Sequence, residues 1–262
     1  MKVDTFLLTA STIVGIGALL APAFAQQADL TLDQIVEKHT AALGGVEKLK
    51  AIETVVINGQ ASLMNGQMKA PLSLKIKRPT SMRMEMTVQG QSFIQAFDGN
   101  SAWVVNPFAG SSDPQKQSDQ DAKTARDDAD FVEGSLVDYK AKGNALELIG
   151  KEDVAGRPAY KIKVTKKGGT VEFEYIDAQT FLPVKSSGKR EQQGQEIEYE
   201  STPANFKAVN GVMMPYRLSQ TVNGQLMMDL TVEKIEVNTP IDPAIFRMPE
   251  KAKEEKKDPP KG

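Results

Sequence analysis

From Thr54 onward the chain alternates apolar and polar residues in short runs. Leu72, Leu74 and Ile76 take turns with Ser73 and Lys75, and Met82, Met84, Met86 and Val88 with Arg83, Glu85 and Thr87. A period of two gives each strand one apolar and one wet face. Asn65-Gly66, Asp98-Gly99, Gly168-Gly169, Asn210-Gly211 and Asn223-Gly224 separate such runs and predict hairpins, while Asn58-Gly59 reads as a bulge. The pattern predicts strands near 54–64, 68–77, 82–89, 92–98 and 102–106, then near 145–153, 158–166, 170–177, 181–190, 195–207, 212–221 and 225–237. Successive hairpins build an antiparallel sheet, and so many strands must curl or close.

Two stretches break this rhythm. Thr31 to Leu43 carries a capping box (Thr31 with Gln34), an apolar face through Leu32, Ile35, Val36, His39 and Leu43, and a Gly44-Gly45 stop. Val46, Leu49 and Ile52 add one or two further turns. Gly110 to Gln120 reads as a loop, and Asp121 to Tyr139 as a helix with Ala122, Ala125, Ala129, Val132 and Leu136 inward. One sheet with an apolar face plus separate helices predicts an α+β fold. Its curved antiparallel half-barrel sheet carries the helices on its concave side, with a cavity between them.

The ends of the chain set the compartment. Lys2, the apolar run Phe6 to Leu20 and the small-x-small Ala23-Phe24-Ala25 predict a cleaved signal peptide over 1–25, hence a periplasmic protein. Residues 251–262 (KAKEEKKDPPKG) are charge, Pro and Gly, a composition that cannot offset ordering entropy and predicts a disordered tail. Residues 26–250 remain as one domain. There is no cysteine, so neither disulfides nor a lipid-modified cysteine belong to the expectation. A net charge of −2 offers no basic field for nucleic acid.

The candidate ligand wall is Leu74, Ile76, Met82, Met84, Met86, Phe93 and Trp103, with Met214 and Met228 from the second half. Unbranched thioethers suit an adaptable wall for a lipophilic ligand, or the filling of an ordinary sheet core. Trp103 and Phe108 read first as structural residues packing the sheet near a turn, and only second as ligand contacts. Arg78 precedes Pro79 and so sits on extended backbone, as a strand-end charge. His39, the only histidine, falls on an apolar helix face and reads as a buried, hydrogen-bonded core residue. With one histidine and no cysteine, no transition-metal site is expected. Asp127, Asp128 and Asp130 lack a calcium loop and read as a wet helix face. Ser186-Ser187-Gly188-Lys189 has Ser-x-x-Lys spacing but sits in a strand without partner motifs. No catalytic constellation and no cofactor motif emerges.

Lys77-Arg78-Pro79, then Asp98-Gly99, Trp103 and Asn106-Pro107-Phe108, resemble periplasmic lipoprotein carriers of the LolA/LolB type, as do the N-terminal amphipathic helix and Phe246-x-x-Pro249 before a charged tail. The resemblance implies a half-barrel of about eleven strands covered by helices. It implies a carrier that holds lipoprotein acyl chains, or another lipophilic ligand, and moves it towards the outer membrane between transient inner- and outer-membrane protein partners. It also implies that Arg78 hydrogen-bonds a helical lid and sets its open and closed states. Such a carrier must offset about 0.8 kcal/mol per exposed methylene, on the order of 10 kcal/mol for a long chain. The second expectation from the same fold is a sensor that binds lipid or a misassembled envelope protein and signals through a partner docked at 251–262.

Overall fold

In the computed structural model, which describes residues 30–129, 132–192 and 195–249, the chain builds one antiparallel sheet of thirteen strands. The first meander runs β1 (Thr54–Leu63), β2 (Met68–Lys77), β3 (Ser81–Val88), β4 (Gln91–Phe97), β5 (Ala102–Asn106) and β6 (Ser111–Lys116). The second runs β7 (Ala145–Val154), β8 (Arg157–Thr165), β9 (Val171–Asp177), β10 (Pro183–Gln192), β11 (Gln195–Val209), β12 (Val212–Val222) and β13 (Gln225–Val237). β1 pairs with β13, so the two meanders join at the centre and leave β6 and β7 at the outer edges. The expected signal peptide and charged tail lie outside the described residues.

Thirteen strands stand where the alternation predicts twelve and the resemblance implies about eleven. The strand without a sequence signal is β6, whose SSDPQK has no apolar alternation and was expected as loop. Its proline is tolerated because β6 is an edge and pairs only with β5. The turns follow their chemistry: Asn210-Gly211 and Asn223-Gly224 have positive φ at both residues, and the register shifts at Asn58/Gly59 as a bulge requires. Gln89-Gly90 and Ala155-Gly156 turn in the same way with a less telling first residue.

Among the described residues, four α-helices accompany the sheet: α1 (Leu32–Leu43), α2 (Val46–Lys50), α3 (Asp119–Asp128) and the short α4 (Tyr139–Lys142). The capping box of α1 forms as expected, Thr31 and Gln34 each serving the other's backbone N–H. The single helix expected over 121–139 is instead α3, a run of turns over 132–138, and α4. Its inward residues stay inward: Ala122, Ala125, Ala129 and Leu136 are buried and Val132 is half-buried. Gly134, at a φ of 65°, sits where a continuous helix would need a right-handed residue. Of the Asp127, Asp128 and Asp130 expectation, Asp130 and the side chains of the other two lie outside the described structure.

Because β6 and β7 are opposite edges, the chain between them must cross the sheet. It crosses on the concave side, α3 touching β4 and β5 at one flank and β10 at the other. The core lies under these helices: Leu43, Leu49, Ile52, Ala129 and Val137 pack on Val55, Ile57, Ile76, Val212 and Met214 of the central strands.

Candidate functional site

Strand register fixes which side chains face inward. Leu74 pairs with Met84, Ile76 with Met82 and Leu72 with Met86 across β2 and β3, so all six share the concave face. On the other side of the seam, Ala61 pairs with Leu230, Leu63 with Met228 and Leu218 with Leu230. Where the helices stop short, this face opens into a trough of about 1050 Å³, lined on its apolar side by Leu72, Leu74, Met82, Met84, Met228 and Leu230. That is at the top of the roughly 300–1,000 Å³ usual for ligand pockets. A smaller recess of about 180 Å³ continues beneath residues 132–136, against Leu43, Met213, Met214 and Phe206. The trough and the recess share Ser186, Ser201 and Leu218 as wall.

The candidate wall residues separate accordingly. Leu74, Met82, Met84 and Met228 border the trough, and Met214 borders the recess. Met86 and Phe93 are cross-strand neighbours on the same face, half-buried at its flank. Ile76 is buried in the core with Ile52 and Ala129 above it. Trp103 lies on the opposite face, since it pairs with Ala96, which pairs with Arg83, the alternate partner to Met82 and Met84. There its indole Nε1 donates to the Phe246 carbonyl at 2.8 Å, and it packs the C-terminal turn Pro243–Phe246 rather than the trough. Phe108 is exposed on a turn whose Asn106 side chain accepts from the Phe108 N–H.

The second half of the concave face is polar, which sequence reasoning missed. In β9, Glu172 and Glu174 point inward, Glu172 opposite Gly188 and Glu174 opposite Ser186. Tyr199 lies across Gly188, where a Cβ would meet its hydroxyl at 3.0 Å, and donates to Glu172 at 3.3 Å. Lys166 pairs with Glu172 at 2.9 Å, and the Arg190 guanidinium sits 4.9 Å from the Tyr199 ring. Glu174 accepts from Ser135 of the crossing segment at 3.2 Å. Burial first, and then the charge of Glu172, pushes the Glu174 pKa up to about 8. The alternation of Val171, Phe173 and Tyr175 with these glutamates was legible; that the carboxylates take the inner side was not.

Arg78 joins three segments. Its Nε donates to the Ile52 carbonyl at 2.6 Å, and Nη2 to the Leu49 carbonyl at 3.0 Å and to Glu133 at 2.8 Å. Glu133, buried in the crossing segment, also meets Lys142 at 3.1 Å. Burial opposes ionisation of Glu133 but is outweighed by the charge and hydrogen bonds of Lys142 and Arg78, so its pKa lies below the ordinary value. Lys50 at the end of α2 adds an ion pair to Asp138. At the other flank, Lys123 of α3 donates to the Gly168 carbonyl of the β8–β9 turn at 2.6 Å.

His39 is buried and bonds through Nδ1 to the Phe181 carbonyl at 2.8 Å. A carbonyl can only accept, so this nitrogen carries the proton. Among the described residues, no group of three or more His, Cys, Asp or Glu could hold a metal ion, and no helix is long and apolar enough to cross a membrane.

No protein-family model matches the sequence, and no curated protein does either. Among solved structures, a domain described as an outer membrane lipoprotein-sorting protein from Vibrio parahaemolyticus is similar, at 13% identity over 81% of this chain and 94% of that one, with a TM-score of 0.53. A LolA superfamily protein from Nitrosomonas europaea matches at 14% identity over 84% and 98%, TM-score 0.53. A DUF1329 family protein from Desulfovibrio piger matches at 10% identity over 82% and 96%, TM-score 0.53. The curved sheet with helices in its hollow is therefore the LolA-like half-barrel fold, as the sequence resemblance implied.

Proposed function

We propose that this protein is a non-enzymatic periplasmic carrier that holds the acyl chains of a lipoprotein, or another lipophilic ligand, in the trough and moves it towards the outer membrane. The observation that carries this reading is the apolar stretch of the concave face that the helices leave uncovered, walled by Leu74, Met84 and Met228 beside the core that they pack upon. Each methylene moved from water onto such a wall contributes about 0.8 kcal/mol. The fold shared with a lipoprotein-sorting domain points the same way.

Loading and release need a two-state element, and the crossing segment supplies one. Arg78 is its latch: the guanidinium ties the backbone after α2 to Glu133, and breaking that tie frees the segment over the recess. Membrane partners at either end would bias the latch and hand the ligand on.

Native mass spectrometry of the protein isolated from its own envelope tests the reading. The expected result is a co-purifying lipid or acylated protein that is lost on Met84→Asp, which places a carboxylate at a half-buried position in the apolar wall of the trough. A chain that emerges empty and takes up no lipid when offered it refutes the carrier.

A further inference from the structure

The recess beneath residues 132–136 has mostly apolar walls, yet uncharged polar groups converge on it. Glu174 pairs with Ser186, Ser186 with Ser201 and Ser201 with Gln220, so one lateral row from β9 to β12 sets four polar side chains on the concave face. The adjoining row of Pro203, Leu218 and Leu230 is apolar again. Glu174, Ser186 and Ser201 border the recess from the sheet, and His39 of α1 borders it from the helical side. Among the described residues, nothing hydrogen-bonds the side chains of Ser186, Ser201 or Gln220, and Glu174 is served by Ser135 alone. His39 spends Nδ1 on the Phe181 carbonyl, which leaves Nε2 as an acceptor. The charged groups that also border the recess have partners: Glu133 meets Arg78 and Lys142, and Lys185 meets Glu200 and the Tyr175 ring.

We propose, resting on the carrier reading, that the ligand has an uncharged, hydroxylated head: the head seats in the recess between His39 Nε2 and the row Glu174, Ser186 and Ser201, and its chain runs out along the Leu–Met wall. Polar groups in a hollow are ordinarily served by water until a ligand displaces it. A bare hydrocarbon end would displace that water and leave the row and the imidazole unserved, whereas a hydroxyl both donates and accepts and so replaces it. Neighbouring strands lie about 4.8 Å apart, so successive members of the row suit a head with more than one hydroxyl. The sign of the site argues against a charge on the head. An anionic head would enter beside the Glu133 carboxylate. An amine head would first have to ionise Glu174, against burial and the charge of Glu172, which hold its pKa at about 8. Burial likewise lowers the pKa of His39, so the imidazole is neutral near pH 7 and offers Nε2 as a lone pair.

The test is a competition on the purified chain stripped of lipid. Monopalmitoylglycerol, methyl palmitate, palmitate and hexadecylamine are offered in equal amounts from the same detergent micelles, and the retained ligand is extracted and weighed by mass spectrometry. Monopalmitoylglycerol should be retained about tenfold over methyl palmitate, which has the same acyl chain and no hydroxyl, the worth of one net hydrogen bond. Ser201→Ala and Ser186→Ala, at half-buried positions, should each shrink that preference towards unity. His39 is the only histidine, so its nitrogen-15 signals are unambiguous in a labelled chain. Monopalmitoylglycerol should move the Nε2 resonance to lower frequency, as an accepted hydrogen bond does, and methyl palmitate should not. Equal retention of these two ligands, a preference with Nε2 unmoved, or stronger retention of palmitate or hexadecylamine overturns the head-group assignment and leaves the carrier standing. Binding of none of the four overturns the carrier reading too. The preference and the Nε2 shift of the unsubstituted chain decide the matter even where a variant does not fold.

Discussion

Replacing Arg78 by methionine keeps the aliphatic stem and removes the guanidinium, and with it three hydrogen bonds to two carbonyls and one carboxylate. Each charge-assisted bond is worth about 1.5–3 kcal/mol net, but they do not sum here. The side chain is 30% exposed, so water replaces part of what is lost. Lys142 also stays within 3.1 Å of Glu133, so the buried carboxylate keeps a counter-charge and the full 3–5 kcal/mol of an orphaned buried ion does not apply. The expected loss for Arg78→Met is about 2–3 kcal/mol, and for Glu133→Gln about 1–2 kcal/mol, with a coupling of about 1 kcal/mol in the double-mutant cycle. Because the folded pKa of Glu133 is depressed, its ionic contribution is present above its ordinary value of 4.5 and is lost as pH falls through the folded value. Urea unfolding gives the stabilities, and amide hydrogen exchange gives their location. Exchange over 132–142 should accelerate in Arg78→Met well beyond the sheet, and bound lipid should leave faster. A global loss with protection of 132–142 falling only in step with the sheet would refute the latch, as would a loss below about 0.5 kcal/mol.

Three other consequences are open to measurement. Trp103→Phe removes the donor to the buried Phe246 carbonyl and should cost about 1–3 kcal/mol in urea titrations with lipid binding unaltered; lost binding at full stability would put the indole in the trough after all. Burial holds the pKa of His39 below its ordinary 6.5, against the smaller opposing effect of the Phe181 hydrogen bond. The unfolded chain therefore binds that proton first, and stability falls from about pH 6.5 downward by up to about 1.4 kcal/mol per pH unit until the folded histidine titrates. His39→Gln should flatten that part of the profile, and parallel profiles for both chains would contradict it. Gly44, at a φ of 123°, has the Gly211 carbonyl 2.3 Å from where a Cβ would stand, so Gly44→Ala should cost about 2–4 kcal/mol in thermal melts; a cost below about 1 kcal/mol would mean that the β11–β12 turn yields easily.

Most of the sheet was legible because its signals are local. Asn-Gly pairs set turns, and two-residue alternation survives in nearly every strand. What escaped is what depends on distant partners. SSDPQK becomes β6 only because β5 presents an open edge to it. The helix expected over 121–139 breaks because 132–138 must place Glu133 against Arg78 and Ser135 against Glu174, contacts no local propensity encodes. The motif that carried the family resemblance turns out to be structural chemistry. Asp98 caps its own turn by accepting from Asn100 and Ser101, Asn106 does the same for Phe108, and Trp103 anchors the C-terminal turn. Such residues report the fold faithfully and say little about where a ligand lies. Period-two patterning likewise sorts residues into two sets without saying which set faces the hollow, and in β9 the glutamates take the inside.

Under the proposed carrier function, that inversion bears on how the hollow can stand empty in water. An apolar trough without a ligand exposes surface that invites aggregation. Here the exposure is limited in two ways. The helices spend themselves on the central strands, where Leu49 and Val137 bury Val55, Ile57 and Ile76, so the fold does not depend on cargo for its core. In the remaining apolar wall Leu72, Met82 and Leu230 are buried, while Leu74, Met84, Leu218 and Met228 are half-exposed. Beyond it the face turns polar: half-buried Ser186, Ser201 and Tyr199 border the trough, and the buried Glu172 carboxylate is held by Lys166 and Tyr199. A face apolar throughout would hold a chain more tightly and release it less readily; a face half polar trades some affinity for a hollow that can stand empty between loading and delivery.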